Sequence, residues 1–502
     1  MASVTTNDLR ITNAKNFVRY LTTGDPSYMF IGRPTPWNTN IEVPQPRVSA
    51  GDNSPPYPEN NWKDFYTIWD QMLAMNRIQP NEVYHMIPRI PYTSGVVYDM
   101  YRHDYNEYVR SHSNAKNLFD ALFCVISQNN NVYACLFNNE LVPSTVEPLA
   151  ESDEPFYTSD GYQWIRLYQL DSSFLLDHST NNFIPVMNSR VNRAPAGEIY
   201  TVVVDARGDD YTSMPRGVNN NIPHYYCRIL GDGEGAVARV TVAGGVITDV
   251  KVSRHGSGYT YGKLDFVANR VYETLNDLDE HRNGLNPGGD GAFRSTVIIG
   301  PPGGWGRDLI RQLGATRVAI FSDFKTTNAD YVTQSEFRQV GVMSGIDNLT
   351  DSFPESFSMV YGVKVSEITG SMNVDYSMYE TITQTYTDET DPRIRYVAKG
   401  MIVGWDDVNG IIRYIQDPKL HSDEKRQLYR FRGNAPIIGE TTEKQTIPNV
   451  DYSEELEGLV FEFGYSHPEA RKYVGVLDYV TNLSPIKRAP NQSERVSLIV
   501  SY

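Results

Sequence analysis

The sequence contains very little cysteine. Only three of its 502 residues are cysteines, Cys124, Cys135 and Cys227, and no two of them form a Cys-x-x-Cys pair. A sparse, odd count argues against a disulfide framework and is typical of a reducing cytosol. We therefore expect a protein that is made and assembled in a cytoplasm.

Long apolar runs and excess positive charge are also missing. No stretch of about 18 consecutive apolar residues occurs, so no membrane span is expected, and the polar segment Met1 to Arg10 does not resemble a signal peptide. The 45 Lys and Arg residues stand against 61 Asp and Glu, a net charge of −16. Such an acidic surface repels phosphate backbones and anionic lipids. Nucleic acids and membranes are therefore disfavoured as partners.

Motifs of common catalytic and cofactor sites are absent from the sequence. There is no Gly-x-x-x-x-Gly-Lys-Ser/Thr, no His-Glu-x-x-His and no Gly-x-Ser-x-Gly. The glycine-rich stretch Gly231 to Gly235 leads into a predicted strand, which offers no helix N-terminus for a phosphate. His103 and His112 lie in a polar stretch that favours a solvated surface over a metal site. We expect no catalytic residue, no metal and no cofactor.

Aromatic residues are abundant, with 34 Tyr, 19 Phe and 6 Trp. Tyrosine combines an apolar ring with a polar tip, which suits both half-buried strands and protein contact surfaces. The count alone leaves both interpretations open.

A block rich in proline and tryptophan runs from Phe30 to Asn61. So many prolines are incompatible with a helix or a central strand. With Trp37 and Tyr57 as anchors, the block is predicted to be an ordered, extended loop that carries contacts. Its prolines are Pro34, Pro36, Pro44, Pro46, Pro55, Pro56 and Pro58.

Periodicity predicts short helices and many strands elsewhere. The expected helices cover Asn7 to Leu21, Trp62 to Met75 (with Asn61 as N-cap and an apolar stripe facing the core) and Arg307 to Leu313. The expected strands include a hairpin over Ala121 to Phe137, a strand over Gly161 to Tyr168, a hairpin turning at Gly244-Gly245, a pair formed by Tyr396 to Trp405 and Gly410 to Ile415, and a terminal strand over Glu494 to Tyr502.

The fold class that follows is mainly β with a few short helices, a β-sandwich-type core carrying two inserted β-rich domains. The predicted ranges are 1–200 (core, first part), 201–295 (first insertion), 296–349 (core, second part), 350–473 (second insertion) and 474–502 (strands returning to the core).

Several motifs match a known family in the same order along the chain. The runs Met29-Phe30-Ile31-Gly32-Arg33-Pro34-Thr35-Pro36-Trp37-Asn38 and Pro55-Pro56-Tyr57-Pro58 are followed by Ile87-Pro88-Arg89, Asp160-Gly161-Tyr162-Gln163-Trp164, Phe337-Arg338-Gln339-Val340 and Leu477-Asp478-Tyr479. This series resembles the baseplate wedge subunit of T-even-type contractile-tailed phages, the gene-eight product family. The resemblance covers about 7–187, 300–346 and 476–502. Asn482-Leu483-Ser484 departs from the family's Asn-Arg, so no role of that arginine is carried over.

The resemblance implies a structural, late virion protein of the tail baseplate, assembled in the host cytoplasm. Its implied partners are a second copy of itself and the other wedge and tail subunits, and it implies no catalysis. The residues predicted to be structural or interface anchors are Arg33, Pro36, Trp37, Pro56, Tyr57, Trp69 and Trp164.

Two other classes of protein remain open on composition alone. One is a glycan-binding β-sandwich adhesin. The other is a tail-associated glycan hydrolase, which needs two carboxylates roughly 5–10 Å apart in a cleft. Both account for abundant tyrosine, but neither accounts for the ordered series of motifs.

Overall fold

The computed structural model describes most of the chain. The described residues are 4–37, 51–187, 195–212, 224–266, 270–325, 331–332, 335–347, 353–366, 375–388, 390–489 and 492–502.

Helices within these residues are few and mostly short. They are α1 (Asn7–Thr23), α2 (Trp62–Asp70), α3 (Ser172–His178), α4 (Leu275–Glu280), α5 (Leu309–Gln312) and α6 (Pro418–His421). Single 3₁₀ turns lie at Pro80–Glu82, Leu118–Asp120 and Asn139–Leu141.

Strands dominate the fold. The first fifteen are β1 (Ser27–Gly32), β2 (Met72–Arg77), β3 (Val83–Pro88), β4 (Cys124–Ile126), β5 (Asn131–Phe137), β6 (Phe156–Tyr157), β7 (Gln163–Gln169), β8 (Phe183–Pro185), β9 (Ile199–Ala206), β10 (His224–Gly231), β11 (Val237–Ala243), β12 (Val246–Arg254), β13 (Gly262–Leu264), β14 (Val271–Tyr272) and β15 (Arg294–Ile299). The others are β16 (Arg317–Phe324), β17 (Glu336–Ser344), β18 (Ser356–Ser358), β19 (Tyr361–Ser366), β20 (Thr381–Thr387), β21 (Arg395–Asp406), β22 (Ile411–Ile415), β23 (Ile437–Gly439), β24 (Gln445–Pro448), β25 (Glu455–Leu456), β26 (Leu459–Val460), β27 (Tyr465–Ser466), β28 (Val476–Lys487) and β29 (Glu494–Ser501). Strand makes up 40% and helix 13% of the structure, which confirms the predicted mainly β class.

The chain divides into two compact units. Unit 1 comprises Met1–Ala14, His85–Val318 and Ser501–Tyr502, and unit 2 comprises Lys15–Tyr84 and Ala319–Val500. The five domain ranges derived from the sequence stay a prediction.

Unit 1 contains the two hairpins predicted from its sequence. Strands β4 and β5 pair antiparallel and lie in the sheet β4-β5-β7-β6. Strands β11 and β12 pair antiparallel in the sheet β12-β11-β10-β13. The latter pair turns at Gly244 and Gly245, which have φ of +61° and +83°. Positive φ at both central residues is what a tight hairpin turn requires and what glycine allows without strain.

One sheet of unit 2 has the order β18-β2-β1-β17-β28. Every neighbouring pair in it is antiparallel. Helix α2 packs its inner face into the apolar cluster beside this sheet through Phe65, Ile68 and the fully buried Trp69.

The prediction of a helix from Trp62 to Met75 is wrong in its last turn. Helix α2 ends at Asp70, and Met72 already pairs with Gly32 in the sheet. The apolar run of residues 72–75 is buried in a sheet, where helical and strand periodicity cannot be told apart over so short a stretch. The predicted core stripe also fails at Trp62, which is 75% exposed.

A second sheet of unit 2 closes into a barrel. Its order is β22-β21-β20-β23-β24-β19, and a further pairing of β19 with β22 completes the ring. The predicted pair β21–β22 is confirmed as part of this ring. Closure, which the sequence did not predict, removes the exposed strand edges that an open sheet would present.

Candidate functional site

The proline- and tryptophan-rich block begins directly after β1. Arg33 donates its backbone N–H to the Gln71 carbonyl at 2.8 Å and has φ of +59°, a left-handed conformation that is uncommon for a non-glycine residue. Trp37 is 5% exposed and donates its indole N–H to the Leu483 carbonyl at 2.9 Å. This part of the block is therefore the ordered loop that the sequence predicts. Residues 38–50, with Pro44 and Pro46, lie outside the described residues.

Arg338, on β17, fastens both sides of this loop. Its Nε and Nη2 donate to the two carboxylate oxygens of Asp52 at 3.0 Å each, and its Nη1 donates to the Pro34 carbonyl at 2.7 Å. The Asp52 carboxylate also accepts from the Trp37 backbone N–H at 3.1 Å. The hydrogen bonds from Arg338 lower the pKa of Asp52. A two-pronged arginine–carboxylate pair fixes geometry as well as charge.

The second half of the block rests on β28. Asn482 donates its side-chain amide to the Pro56 carbonyl at 2.8 Å and accepts from Gln339 at 2.8 Å. Gln339 and Asn482 face each other in the register of β17 and β28. Pro56 is half-buried as a result, whereas the neighbouring Tyr57 is 95% exposed.

A cleft of about 220 Å³ opens between this loop and α2. Its walls are formed by loop residues 33–37 and 56–59, one face of α2, the middle of β17 and of β28, and the turn at Asp417. The charged side chains lining it are Arg33, Lys63 and Lys419 on the positive side and Glu59, Asp64 and Asp417 on the negative side. Formal charges in the cleft therefore balance.

The base of the cleft is a connected hydrogen-bond network. Gln71 accepts from the Thr35 hydroxyl at 2.7 Å and donates to Asp417 Oδ2 at 2.6 Å. Asp417 is buried and caps α6 by accepting from the Lys419 backbone N–H at 2.8 Å. His421 accepts from the Asp417 backbone N–H at 2.8 Å, and burial lowers the pKa of His421 to about 4. Such a satisfied network holds its members in one arrangement.

Arg33 is the unusual residue of the cleft. Its guanidinium lies over the Trp37 ring at 3.9 Å from the centroid, a favourable cation–π geometry. Its buried Nε has no hydrogen-bond partner within the part of the chain that the structure describes. Burial lowers the pKa of Arg33 to about 10, so the side chain is still charged at neutral pH.

An exposed aromatic surface adjoins the cleft. We use this name for Tyr57, Trp62 and Tyr66, which are 95%, 75% and 50% exposed. The Trp62 ring lies perpendicular to Phe65 at 5.7 Å, and the Tyr66 ring lies 5.5 Å from Tyr473. Large aromatic groups that are held in place yet open to water are typical of protein contact surfaces.

The structure groups some of the predicted anchors and separates others. Arg33, Trp37, Pro56 and Tyr57 line the cleft together, and Pro36 lies half-buried in the same loop. Trp69 is fully buried in the core of unit 2. Trp164 is fully buried in the core of unit 1, stacked on Tyr162 at 5.7 Å. The two buried tryptophans are thus core residues of their units.

The sequence patterns did not identify several residues of the cleft. Gln71, Asp417 and Asn482 are brought together from distant positions, and no local pattern relates them. Asp417-Pro418 is a helix-start signal, because aspartate caps a helix and proline fits its first position. That signal identifies α6 but not its place at the cleft.

Two further titratable groups, Asp70 at the C-terminal end of α2 and Lys472, also belong to unit 2. Tyr473 donates its hydroxyl to Asp70 Oδ1 at 2.5 Å, and burial raises the pKa of Asp70 to about 6. Lys472 Nζ lies 5.0 Å from the centre of the Tyr361 ring, and burial lowers the pKa of Lys472 to about 8. In both groups burial disfavours the charged form and shifts the pKa toward neutrality.

Across the described ranges, no group of three or more His, Cys, Asp or Glu side chains is placed to hold a metal ion. None of the described helices has the length and apolar character needed to cross a membrane.

No protein-family model matches the chain, and no curated protein matches its sequence.

Proposed function

We propose that the chain is a structural virion protein, a baseplate wedge subunit of a contractile phage tail that acts by protein–protein assembly without catalysis. The observation that carries this proposal is the aromatic surface on α2 and its flanking loop. Trp62 and Tyr57 expose most of their rings although each belongs to an ordered segment. Tryptophan and tyrosine are the residues on which binding energy concentrates at protein interfaces.

The way in which the surface is held supports the same conclusion. The loop is fastened by Arg338 and Asn482, and α2 begins at an N-cap in which Asn61 accepts from the Asp64 backbone N–H at 2.9 Å. A surface that is already ordered loses little conformational entropy when a partner docks. Rigid sheets that present such a surface suit a scaffold subunit.

The ordered series of motifs supports the finer part of the proposal. Phe337 to Val340 and Leu477 to Tyr479, two of the matching runs, lie in the neighbouring strands β17 and β28. Both strands hold the proline- and tryptophan-rich loop that starts the series. The partners proposed on this ground are a second copy of the chain and the other wedge and tail subunits, in a virion assembled in the host cytoplasm.

Co-expression with the other tail genes of the source tests the proposal. The chain should co-purify in particles larger than itself, visible by electron microscopy. The double variant Trp62→Ser/Tyr66→Ser should reduce its incorporation by about 30-fold or more, since central aromatic contacts contribute about 2 kcal/mol or more. Tyr108→Ser is the control, because Tyr108 is an aromatic residue of unit 1 that is 94% exposed.

Two outcomes count against the proposal. A chain that remains alone in the presence of every other tail protein contradicts it. Saturable binding of a sugar by such a solitary chain instead favours the glycan-binding adhesin.

A further inference from the structure

The cleft beside the aromatic surface contains an arginine that is prepared for a ligand. The guanidinium carbon of Arg33 lies 3.9 Å from the centre of the Trp37 ring, and Trp37 is fixed by hydrogen bonds to the Leu483 carbonyl and the Asp52 carboxylate. This contact restricts the guanidinium before any ligand arrives. Pre-ordering reduces the entropy lost on binding.

Arg33 also lacks a carboxylate partner, although it is half-buried. By contrast Arg338, whose side chain is 4% exposed, pairs with Asp52 and Glu336 at 3.0 and 2.6 Å. Arg33 forms no ion pair or side-chain hydrogen bond with any residue in the described part of the chain, and its Nε is inaccessible to water. Because Nε is closed to water, a ligand in the cleft would bind the terminal Nη groups of Arg33, which have no acceptor among the described residues.

The backbone of Arg33 is fixed as well. Its φ of +59° is held by the hydrogen bond to the Gln71 carbonyl.

The nearby carboxylate of Asp417 is already committed elsewhere. Its two oxygens accept from Gln71 Nε2 at 2.6 Å and from the Lys419 backbone N–H at 2.8 Å. It contributes to the potential around Arg33 without filling the guanidinium's hydrogen-bonding positions.

The charge of the cleft selects the ligand. The six lining charges sum to zero, so a doubly charged anion would meet the repulsion of Glu59 and Asp64 without a matching excess of positive charge. A planar group with two oxygens matches the geometry of the arginine guanidinium. A single negative charge is what this electrically neutral cleft can accommodate.

We propose that this cleft is a carboxylate-binding site in which Arg33 is the ligand-binding residue. The carboxylate is either a small free acid or the side chain of a glutamate or aspartate on another protein. The cleft shares Tyr57 with the aromatic surface, but its test uses the chain alone, so failure of this proposal can be told apart from failure of assembly.

Titration of the full chain with matched probes tests the site. The probes are the peptide acetyl-Gly-Glu-Gly-amide and its neutral isostere acetyl-Gly-Gln-Gly-amide, acetate with acetamide, and inorganic phosphate, all at constant ionic strength. The readout is the saturable rise of the thermal unfolding midpoint with ligand concentration. In at least one of the two pairs, we expect the carboxylate probe to raise the unfolding midpoint and the corresponding amide probe to leave it unchanged.

Variants of Arg33 identify the binding group. Arg33→Gln should weaken carboxylate binding by about tenfold or more, because it removes a charge-assisted hydrogen bond. Arg33→Lys keeps the charge but loses the planar guanidinium, so its affinity for the carboxylate should lie between those of the unmodified chain and Arg33→Gln. Arg311→Gln, at an exposed arginine of unit 1, is the control and should bind as the unmodified chain does.

The probes also separate the two sources of the carboxylate. Equal affinity for acetate and the Glu peptide indicates a free acid, whereas clear preference for the peptide indicates a side chain on a protein. Equal effects of carboxylate and amide, equal effects of phosphate, or unchanged binding in Arg33→Gln would overturn the proposal. If Arg33→Gln does not fold, Arg33→Lys and the comparison of Glu with Gln on the unmodified chain still decide it.

Discussion

At the scale of single residues, two aromatic residues of the proline- and tryptophan-rich block differ in their exposure to solvent. Trp37 is buried with its indole N–H bonded to Leu483, while Tyr57 is almost entirely exposed. Both were predicted as anchors that pack either within the subunit or at a contact. The placement of Trp37 makes it an internal anchor, and Tyr57 remains available for contacts.

Replacing these two aromatics should therefore affect stability very differently. Trp37→Ala leaves a cavity and an unpaired carbonyl, and we expect a loss of about 3–5 kcal/mol. Tyr57→Ala should change stability by about 0.5 kcal/mol or less, as exposed substitutions do. Denaturant unfolding of both variants measures the difference, and equal losses would contradict the assignment.

Asp70 should make stability depend on pH between about pH 4 and 6. Burial raises its pKa in the folded chain to about 6, above the roughly 3.9 of an unfolded aspartate. The folded state therefore holds the proton more tightly. The resulting stabilisation is complete below the unfolded pKa and is lost as the pH rises through 6.

Asp70→Asn removes this titration while it keeps an acceptor for the Tyr473 hydroxyl. Relative to the variant, the unmodified chain should lose stability from pH 4 to pH 7, by at most about 3 kcal/mol. Unfolding curves at both pH values give the answer. A stability difference that does not change with pH would show that Asp70 does not titrate in this range.

At the scale of elements, short sequence patterns correctly predicted the turns, helix caps and strand pairs that depend on residues close together in the chain. The hairpin at Gly244-Gly245, the N-cap Asn61 and the pair β21–β22 were all found from short sequence patterns. Each is fixed by turn chemistry or alternation within a few residues. The end of α2 was not, because residues 72–75 are recruited into a sheet by β1, a partner about 40 residues away in the chain.

The turn between β11 and β12 offers a direct check of this local control. Gly245 has φ of +83°, so Gly245→Val should destabilise unit 1 by about 1–2 kcal/mol through backbone strain. Gly51→Ala is the control, because an added methyl group meets nothing within 4 Å there and φ is not positive. Equal effects of the two changes on the unfolding free energy would argue against the strain.

At the scale of the whole molecule, the mainly β class follows from the sequence, but the closed barrel and the cleft do not. The barrel depends on the pairing of β19 with β22, and the cleft depends on Gln71, Asp417 and Asn482 meeting from three distant segments. Such meetings are consequences of tertiary packing. The ordered motifs could identify the strands that hold the cleft, but not the residues of the second half of the chain that complete it.

The central claim is that the aromatic surface becomes covered when the chain joins an assembly. Oxidative footprinting of the free chain and of the co-expressed assembly tests it most directly, because the oxidation rates of Tyr57, Trp62 and Tyr66 report their exposure. The account predicts that these residues react in the free chain and are protected in the assembly, while Tyr108 reacts in both. An assembly that contains the chain and leaves Trp62 and Tyr66 as reactive as before would contradict the account.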